Sequence, residues 1–183
     1  MFNQSMYVLH GLHGEIISKL TAEIDEATQF QLFRRNIDVL FIAPIVGYLY
    51  NRKDEKKSDE NASSDDTKKI NYEQLQKNID ILNFNYQLIM LLDGKRENLS
   101  IDERLNRAFR YADETPEKDQ CEKLYENYIL GGLLVLKEKL LDDAVTVEDY
   151  MSNMYKFVTE YHNRYENEIA NSDFDTLLAS HNN

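Results

Sequence analysis

The chain has 183 residues, 42% of them apolar, and its 33 acidic residues against 21 basic give a formal charge of −12. That length supports one hydrophobic core without staples, since chains of about 150 residues bury roughly 70% of their unfolded surface. Cys121 is the only cysteine, which excludes an internal disulfide framework. The acidic balance argues against a surface that binds nucleic acid over its whole extent, because such a surface sets Lys and Arg against phosphates.

In chain order, Met6-Tyr7-Val8-Leu9 reads as a short strand or as a helix start, with Gly11 and Gly14 interrupting either. From Glu15 the period becomes helical, with Ile16, Ile17, Leu20, Ile24 and Ala27 on one face. A second helix is expected from about Gln29 to Tyr50. Its residues Val39 to Tyr50 are apolar on all sides, which predicts full burial at the centre of the fold. Pro44 inside it removes a backbone hydrogen bond and predicts a kink or break. The twelve-residue apolar run is too short to span a bilayer, which needs about 17–25 residues.

Residues 51–69 contain no apolar side chain except Ala62 and predict a long, mobile polar loop. Asn71 then caps a third helix through Tyr72, Leu75, Ile79, Leu82, Tyr86, Ile89 and Leu92, ended by Gly94 as a left-handed residue. Ser100-Ile101-Asp102-Glu103 has the form of a capping box. The helix it opens is expected to bury Ile101, Leu105, Ala108, Phe109 and Ala112. Thr115-Pro116 starts the next helix, with proline at its first position. Gly131-Gly132 within that helix cost about 1 kcal/mol each relative to alanine, so they predict a kink or a close backbone approach. Thr146 opens a last long helix, and a short piece capped by Ser172 follows, docking through Phe174, Leu177 and Leu178. The fold class expected is all-α: a single-domain bundle of six or seven helices over residues 1–183, built around a central buried, Pro-interrupted helix.

No complete catalytic motif appears, so no catalytic residue is assigned. Neither a phosphate-binding glycine loop nor a dinucleotide fingerprint is present. His10, His13 and Glu15 could converge on a metal if the glycines bend the chain, but a structural or catalytic site needs further ligands. Two histidines on a surface turn are the plainer reading, and no metal or cofactor is assigned. His162 lacks the Glu three residues before it that a di-metal bundle uses, because that position is Thr159. Acidic neighbours of Cys121 are expected to raise its thiol pKa.

Two surfaces remain. Arg104, Arg107 and Arg110 recur every three residues opposite the expected buried side of their helix, and with Arg34, Arg35, Arg52, Lys53, Lys95 and Arg96 could meet phosphate or an acidic partner. The plainer reading is a solvated face, since Glu103 stands four residues before Arg107. Tyr150, Met151, Met154, Tyr155, Tyr161 and Tyr165 lie on the last helix in a chain with twelve tyrosines and no tryptophan. Tyr and Met are favoured at protein interfaces, although tyrosines rimming a core with their hydroxyls in water are the plainer reading. From Tyr111 onward there are sixteen acidic residues and six basic, a net of −10, against seventeen and fifteen, a net of −2, before it. A basic protein partner suits the acidic portion.

The segment Phe33 to Tyr48, with Leu88-Ile89-Met90-Leu91-Leu92, Arg107-Ala108-Phe109-Arg110 and Tyr128-Ile129-Leu130-Gly131-Gly132, resembles parts of small helical accessory proteins from bacterial anti-phage defence islands of the phosphorothioation-associated type. The resemblance touches about half the chain and carries no catalytic residue. It implies a helical subunit working beside larger nuclease or ATPase partners. The expectation is therefore a non-enzymatic, cytoplasmic accessory subunit that binds protein, with no membrane segment. The alternatives are nucleic-acid contact through the arginine face and a metal-dependent enzyme.

Overall fold

The computed structural model describes residues 6–56 and 67–170, with side chains as far as Arg164. It is an all-α bundle. Among the described residues it holds a two-stranded sheet and seven α-helices. They are β1 (Met6–Leu9), α1 (Gly11–Leu20), α2 (Asn36–Leu49), β2 (Lys68–Asn71), α3 (Tyr72–Lys77), α4 (Ile79–Arg96), α5 (Ile101–Leu105), α6 (Pro116–Leu136) and α7 (Val147–Ala170). Two helices end in a π-helical turn, α5 in Asn106–Arg110 and α6 in Lys137–Leu141, closed by Tyr111 N–H to Asn106 O and Asp142 N–H to Lys137 O at 3.0 Å each.

The centre is the crossing of α2 and α6, where side chains give way to backbone. A Cβ on Gly47 would stand 2.0 Å from the Tyr128 carbonyl oxygen, and one on Gly132 would stand 1.8 Å from that of Ala43. A Cβ on Gly131 would likewise stand 2.1 Å from the Arg52 carbonyl oxygen. Ala43 and Gly47 are four residues apart, as are Tyr128 and Gly132, so each helix presents small or backbone-bare positions on one face. The close-approach reading of the glycine pair therefore holds. Around the crossing, Ile37, Leu40, Tyr125, Ile129 and Leu133 are fully buried.

Pro44 sits inside α2 without ending it. The Asn85 amide of α4 donates to the Phe41 carbonyl at 3.0 Å, in the turn before the proline. A neighbouring side chain thus supplies a donor where the proline weakens the ladder. Arg96 does the same at the C-terminus of α2, donating to the Tyr48 carbonyl at 3.0 Å and the Asn51 side chain at 2.9 Å. Asn51 takes the left-handed conformation (φ 50°) that ends the helix.

Several boundaries differ from expectation, each for a local reason. Helix α2 begins at Asn36, because Asp25 draws the preceding segment into a turn: Thr28 N–H bonds its carboxylate at 2.9 Å and Phe30 N–H its carbonyl at 3.2 Å. Such side-chain bonds compete with helix. The polar stretch 51–69 is ordered at both ends. Residues 52–56 run along α6, with Asp54 N–H bonded to Asn127 O at 3.0 Å, and Lys68–Asn71 pairs antiparallel with β1, Tyr7 opposite Ile70. That strand has one apolar residue, so its main-chain ladder leaves little hydrophobic signal. Positions 57–66 of the expected loop, and the Ser172-capped piece with Phe174, Leu177 and Leu178, lie outside the described residues. The third helix is interrupted at Asn78, whose side chain donates to the Gln74 carbonyl at 2.8 Å, and Tyr72 is exposed instead of buried. Gly94 is not a helix end: α4 continues to Arg96, and Asn98 (φ 57°) is left-handed instead. The caps at Asn71, Ser100, Thr115 and Thr146 all form.

Gly132→Ala tests the crossing because two effects oppose each other. Alanine gains about 1 kcal/mol over glycine in a helix, whereas overpacking costs about 1–3 kcal/mol or more. Urea unfolding is expected to show a net loss of at least about 1 kcal/mol for this variant. Gly94→Ala, whose added carbon meets the flexible Arg104 stem at 2.6 Å, should lose less. An unchanged or raised midpoint for Gly132→Ala contradicts the contact.

Candidate functional site

The three residues considered for a metal are turned apart. His10 Nδ1 meets the Thr67 hydroxyl at 3.2 Å, His13 Nε2 meets Asp54 at 3.1 Å, and Glu15 pairs with Lys19 at 2.7 Å. Among the described residues no group of three or more His, Cys, Asp or Glu side chains is placed to hold a metal ion. His13 is buried in the first turn of α1, and its carboxylate partner comes from the segment laid along α6. A cavity of about 240 Å³ opens beside this pair, lined also by His10, Lys56, Leu9, Leu12 and Leu130. None of these lining residues carries a hydroxyl or thiol. Lys56 is turned to Glu126 and over the Tyr7 ring. The sequence hid Asp54 as a partner because it stands 41 residues from His13 in a stretch without apolar residues.

The arginine face is built differently from the expected solvated one. Arg104 donates from Nε to the Leu91 carbonyl at 3.0 Å and lies against Gly94. Arg107 is turned inward to Asp93 at 3.8 Å and to Glu103 at 3.5 Å, while Arg110 is exposed beside Asp102 and Asn106. Ile101 and Phe109, expected inside, are exposed, as is Ala112. The cause is Asp93. Its carboxylate is fully buried in α4, and a buried charge needs paired cations and hydrogen bonds. Tyr128 donates to it at 2.5 Å and Lys53 stands 3.5 Å away, so Arg107 completes the set by facing inward. Arg96 donates to the Tyr128 hydroxyl at 3.4 Å and lies 4.0 Å over the Tyr48 ring. Burial, and then Asp93, push the Tyr128 phenol up. Of the other cations in that patch, Arg35 pairs with Asp38 at 2.6 Å and Arg52 with Glu138 at 3.3 Å.

Cys121 is buried in a recess with Glu103, Arg107 and Tyr111. Burial, more than acidic neighbours, pushes its thiol up, and Arg107 acts in the opposite direction. Tyr111 donates to Glu103 at 2.7 Å, and its phenol is pushed up to about 12, first by that bond.

Helix α7 divides the six candidate interface residues. Tyr150 and Met154 are half-buried, and Met154 and Phe157 pack on the core. Phe157 stacks on Tyr50 with ring centres 6.3 Å apart. Glu160 accepts from the Tyr50 hydroxyl at 3.1 Å and from Lys139 at 2.7 Å, and the Lys139 bond holds its carboxyl below the usual range. These contacts fasten one narrow side. The adjoining side exposes Met151 (54%), Tyr155 (74%) and Val158 (58%), with Tyr161 at the margin (40%). The side chain of Tyr165 lies outside the described residues. Val158 was not singled out in the sequence, although its spacing of seven from Met151 places it on the same face. His162 is exposed on this helix.

Compared with protein families, curated proteins and solved structures, the chain matches none. No helix among the described residues is long and apolar enough to cross a membrane.

Tyr128→Phe removes the short bond to the buried carboxylate while keeping the ring. A hydrogen bond to a charged group is worth about 1.5–3 kcal/mol, so urea unfolding should show a loss of about 2 kcal/mol. A variant as stable as the parent contradicts the assignment of Tyr128 as Asp93's principal donor.

Proposed function

We propose that the chain is a non-enzymatic helical accessory subunit that binds a protein partner through the outward side of α7. The observation that carries the reading is the apolar stripe Met151, Tyr155 and Val158, at spacings of four and three, exposed on a 24-residue helix whose adjoining side, with Met154 and Phe157, is fastened to the bundle. A helix that lays three apolar side chains at these intervals in water has the form of one that seats in a groove or beside another helix. Scattered exposed apolar residues need no partner, but an aligned set does more than chance solvation requires.

Charge narrows the partner's chemistry. Residues 111–183 carry a net charge of −10, so a basic surface is favoured and its approach is accelerated at low salt. The resemblance of residues 33–48 and the later apolar segments to defence-island accessory proteins directs the search to nuclease or ATPase subunits encoded nearby. The inward use of Arg104 and Arg107 supports this over nucleic-acid contact, since those side chains serve Leu91 and Asp93.

The experiment is affinity capture from the native host with the wild type and with Met151→Glu/Tyr155→Glu. Both positions are exposed, so helicity by circular dichroism should be unchanged. A partner is expected to copurify with the wild type and to be lost with the double variant. Retention by the variant, or a wild type that captures no protein, overturns the proposal.

A further inference from the structure

The five residues that follow Asn51 are Arg52, Lys53, Asp54, Glu55 and Lys56, all charged and none apolar. Every one of them is ion-paired with the body of the bundle. Arg52 meets Glu138 at 3.3 Å, Lys53 meets the buried Asp93 at 3.5 Å, and Asp54 meets His13 at 3.1 Å. Glu55 meets Lys123 of α6 at 3.6 Å, and Lys56 meets Glu126 one turn further along the same helix. Glu126 also accepts from the Tyr7 hydroxyl at 3.2 Å, and Lys56 lies 5.3 Å over the Tyr7 ring. This stretch is therefore fastened by charge and main-chain bonds, with no apolar anchor of its own.

Its two ends are held differently. Arg52 N–H donates to the Gly47 carbonyl at 2.8 Å, and a Cβ on Gly131 would stand 2.1 Å from the Arg52 carbonyl oxygen and 2.8 Å from the Lys53 Cα. Residues 52–53 are thus locked against α6 by close backbone packing. Asp54 N–H donates to the Asn127 carbonyl at 3.0 Å, and beyond it Glu55 and Lys56 keep their places through Lys123 and Glu126, pairs that solvent reaches. A segment without buried apolar contacts, held by solvent-reached bonds, belongs to the part of a fold that opens locally at low free energy. What lies under it is closed to water. Asp54 and Lys56 form one wall of the cavity of about 240 Å³, whose floor holds the fully buried Leu9 and Leu130 together with His13 (8% exposed).

We infer that residues 54–56 are an electrostatically latched strap over the His13 cavity, lifting from α6 while residues 52–53 and the α2–α6 crossing stay in place. Lifting removes the wall made by Asp54 and Lys56 and uncovers Leu9, Leu130 and His13. An ion or a charged surface that competes for Lys123 and Glu126 releases the latch, so access to the cavity is set by charge. The device lies apart from α7 and does not depend on what binds there.

Amide exchange of the full chain at low and high salt tests the inference. An exposed ion pair is worth about a factor of two in an opening equilibrium, so screening the Glu55 and Lys56 pairs should raise opening about fourfold. Protection of the Asp54 amide is expected to fall by that factor between about 0.01 M and about 0.5 M sodium chloride, while the amides of Ile129 and Leu133 keep theirs. Carbethoxylation of His13 by diethyl pyrocarbonate, located by peptide mass, should accelerate in parallel, with the exposed His10 and His162 as references. Glu55→Gln/Lys56→Gln should open about fourfold more at low salt and lose most of the salt response. Asp54→Asn, which breaks the His13 pair alone, should open more at every salt concentration and keep that response. Urea midpoints confirm that both variants fold. Asp54 protection indifferent to salt, or falling only in step with Ile129 and Leu133, overturns the inference. So does a His13 reactivity that neither salt nor either variant changes.

Discussion

The rest of the molecule depends on the backbone-to-backbone crossing of α2 and α6. Gly47 and Gly132 admit carbonyl oxygens where a methyl group would stand 1.8–2.0 Å away, and that proximity sets everything placed around it. It brings Tyr128 under Asp93, so that a buried carboxylate finds a hydroxyl donor. It lets the segment after α2 pass over Gly131 and lie along α6, which carries Asp54 to His13. A single methylene at either glycine would push these elements apart together, which is why a close contact of such small area has wide consequences.

Polar groups at and around this crossing help to hold it. Asn85 reaches the carbonyl ahead of Pro44, Arg96 closes the end of α2, and Tyr128 shares its hydroxyl between Arg96 and Asp93. A buried acid is costly unless cations and donors surround it. Satisfying Asp93 turns the helix after Ser100 so that Arg107 faces in while Ile101 and Phe109 face out. The structural demand at one carboxylate thereby shapes the outer surface. The exposed apolar side of α7 lies in the acidic portion of the chain, on a helix fastened along one side.

Local chemistry was legible where it acts through neighbours in sequence. The caps at Asn71, Ser100, Thr115 and Thr146 and the close approach at Gly131-Gly132 follow from spacing and residue type. The full burial expected of Val39 to Tyr50 holds for Val39, Leu40 and Val46 but not for Ile42, which is exposed, or for Tyr48 to Tyr50, which are half-buried. What could not be read depends on distant partners. Pro44 suggests a break unless Asn85 is known to stand opposite. Arg107 looks like a solvent-facing arginine unless Asp93 is known to be buried beside it, and β2 shows only Ile70 until β1 is laid against it. Of the candidate interface, Met151 and Tyr155 were identifiable from composition, but the inward turn of Tyr150 and Met154 required knowing which side of α7 meets Tyr50.

Amide hydrogen exchange under native conditions tests the central claim directly. If the α2–α6 crossing is the element on which the others rest, amides near residues 40–47 and 125–133 exchange only through global unfolding, and their opening free energies equal that of the whole chain. Amides of α7 then open at distinctly lower free energy, as befits a helix with no fully buried residue among its described side chains. Fast exchange around Pro44 and Gly132, or α7 as strongly protected as α6, would contradict the account.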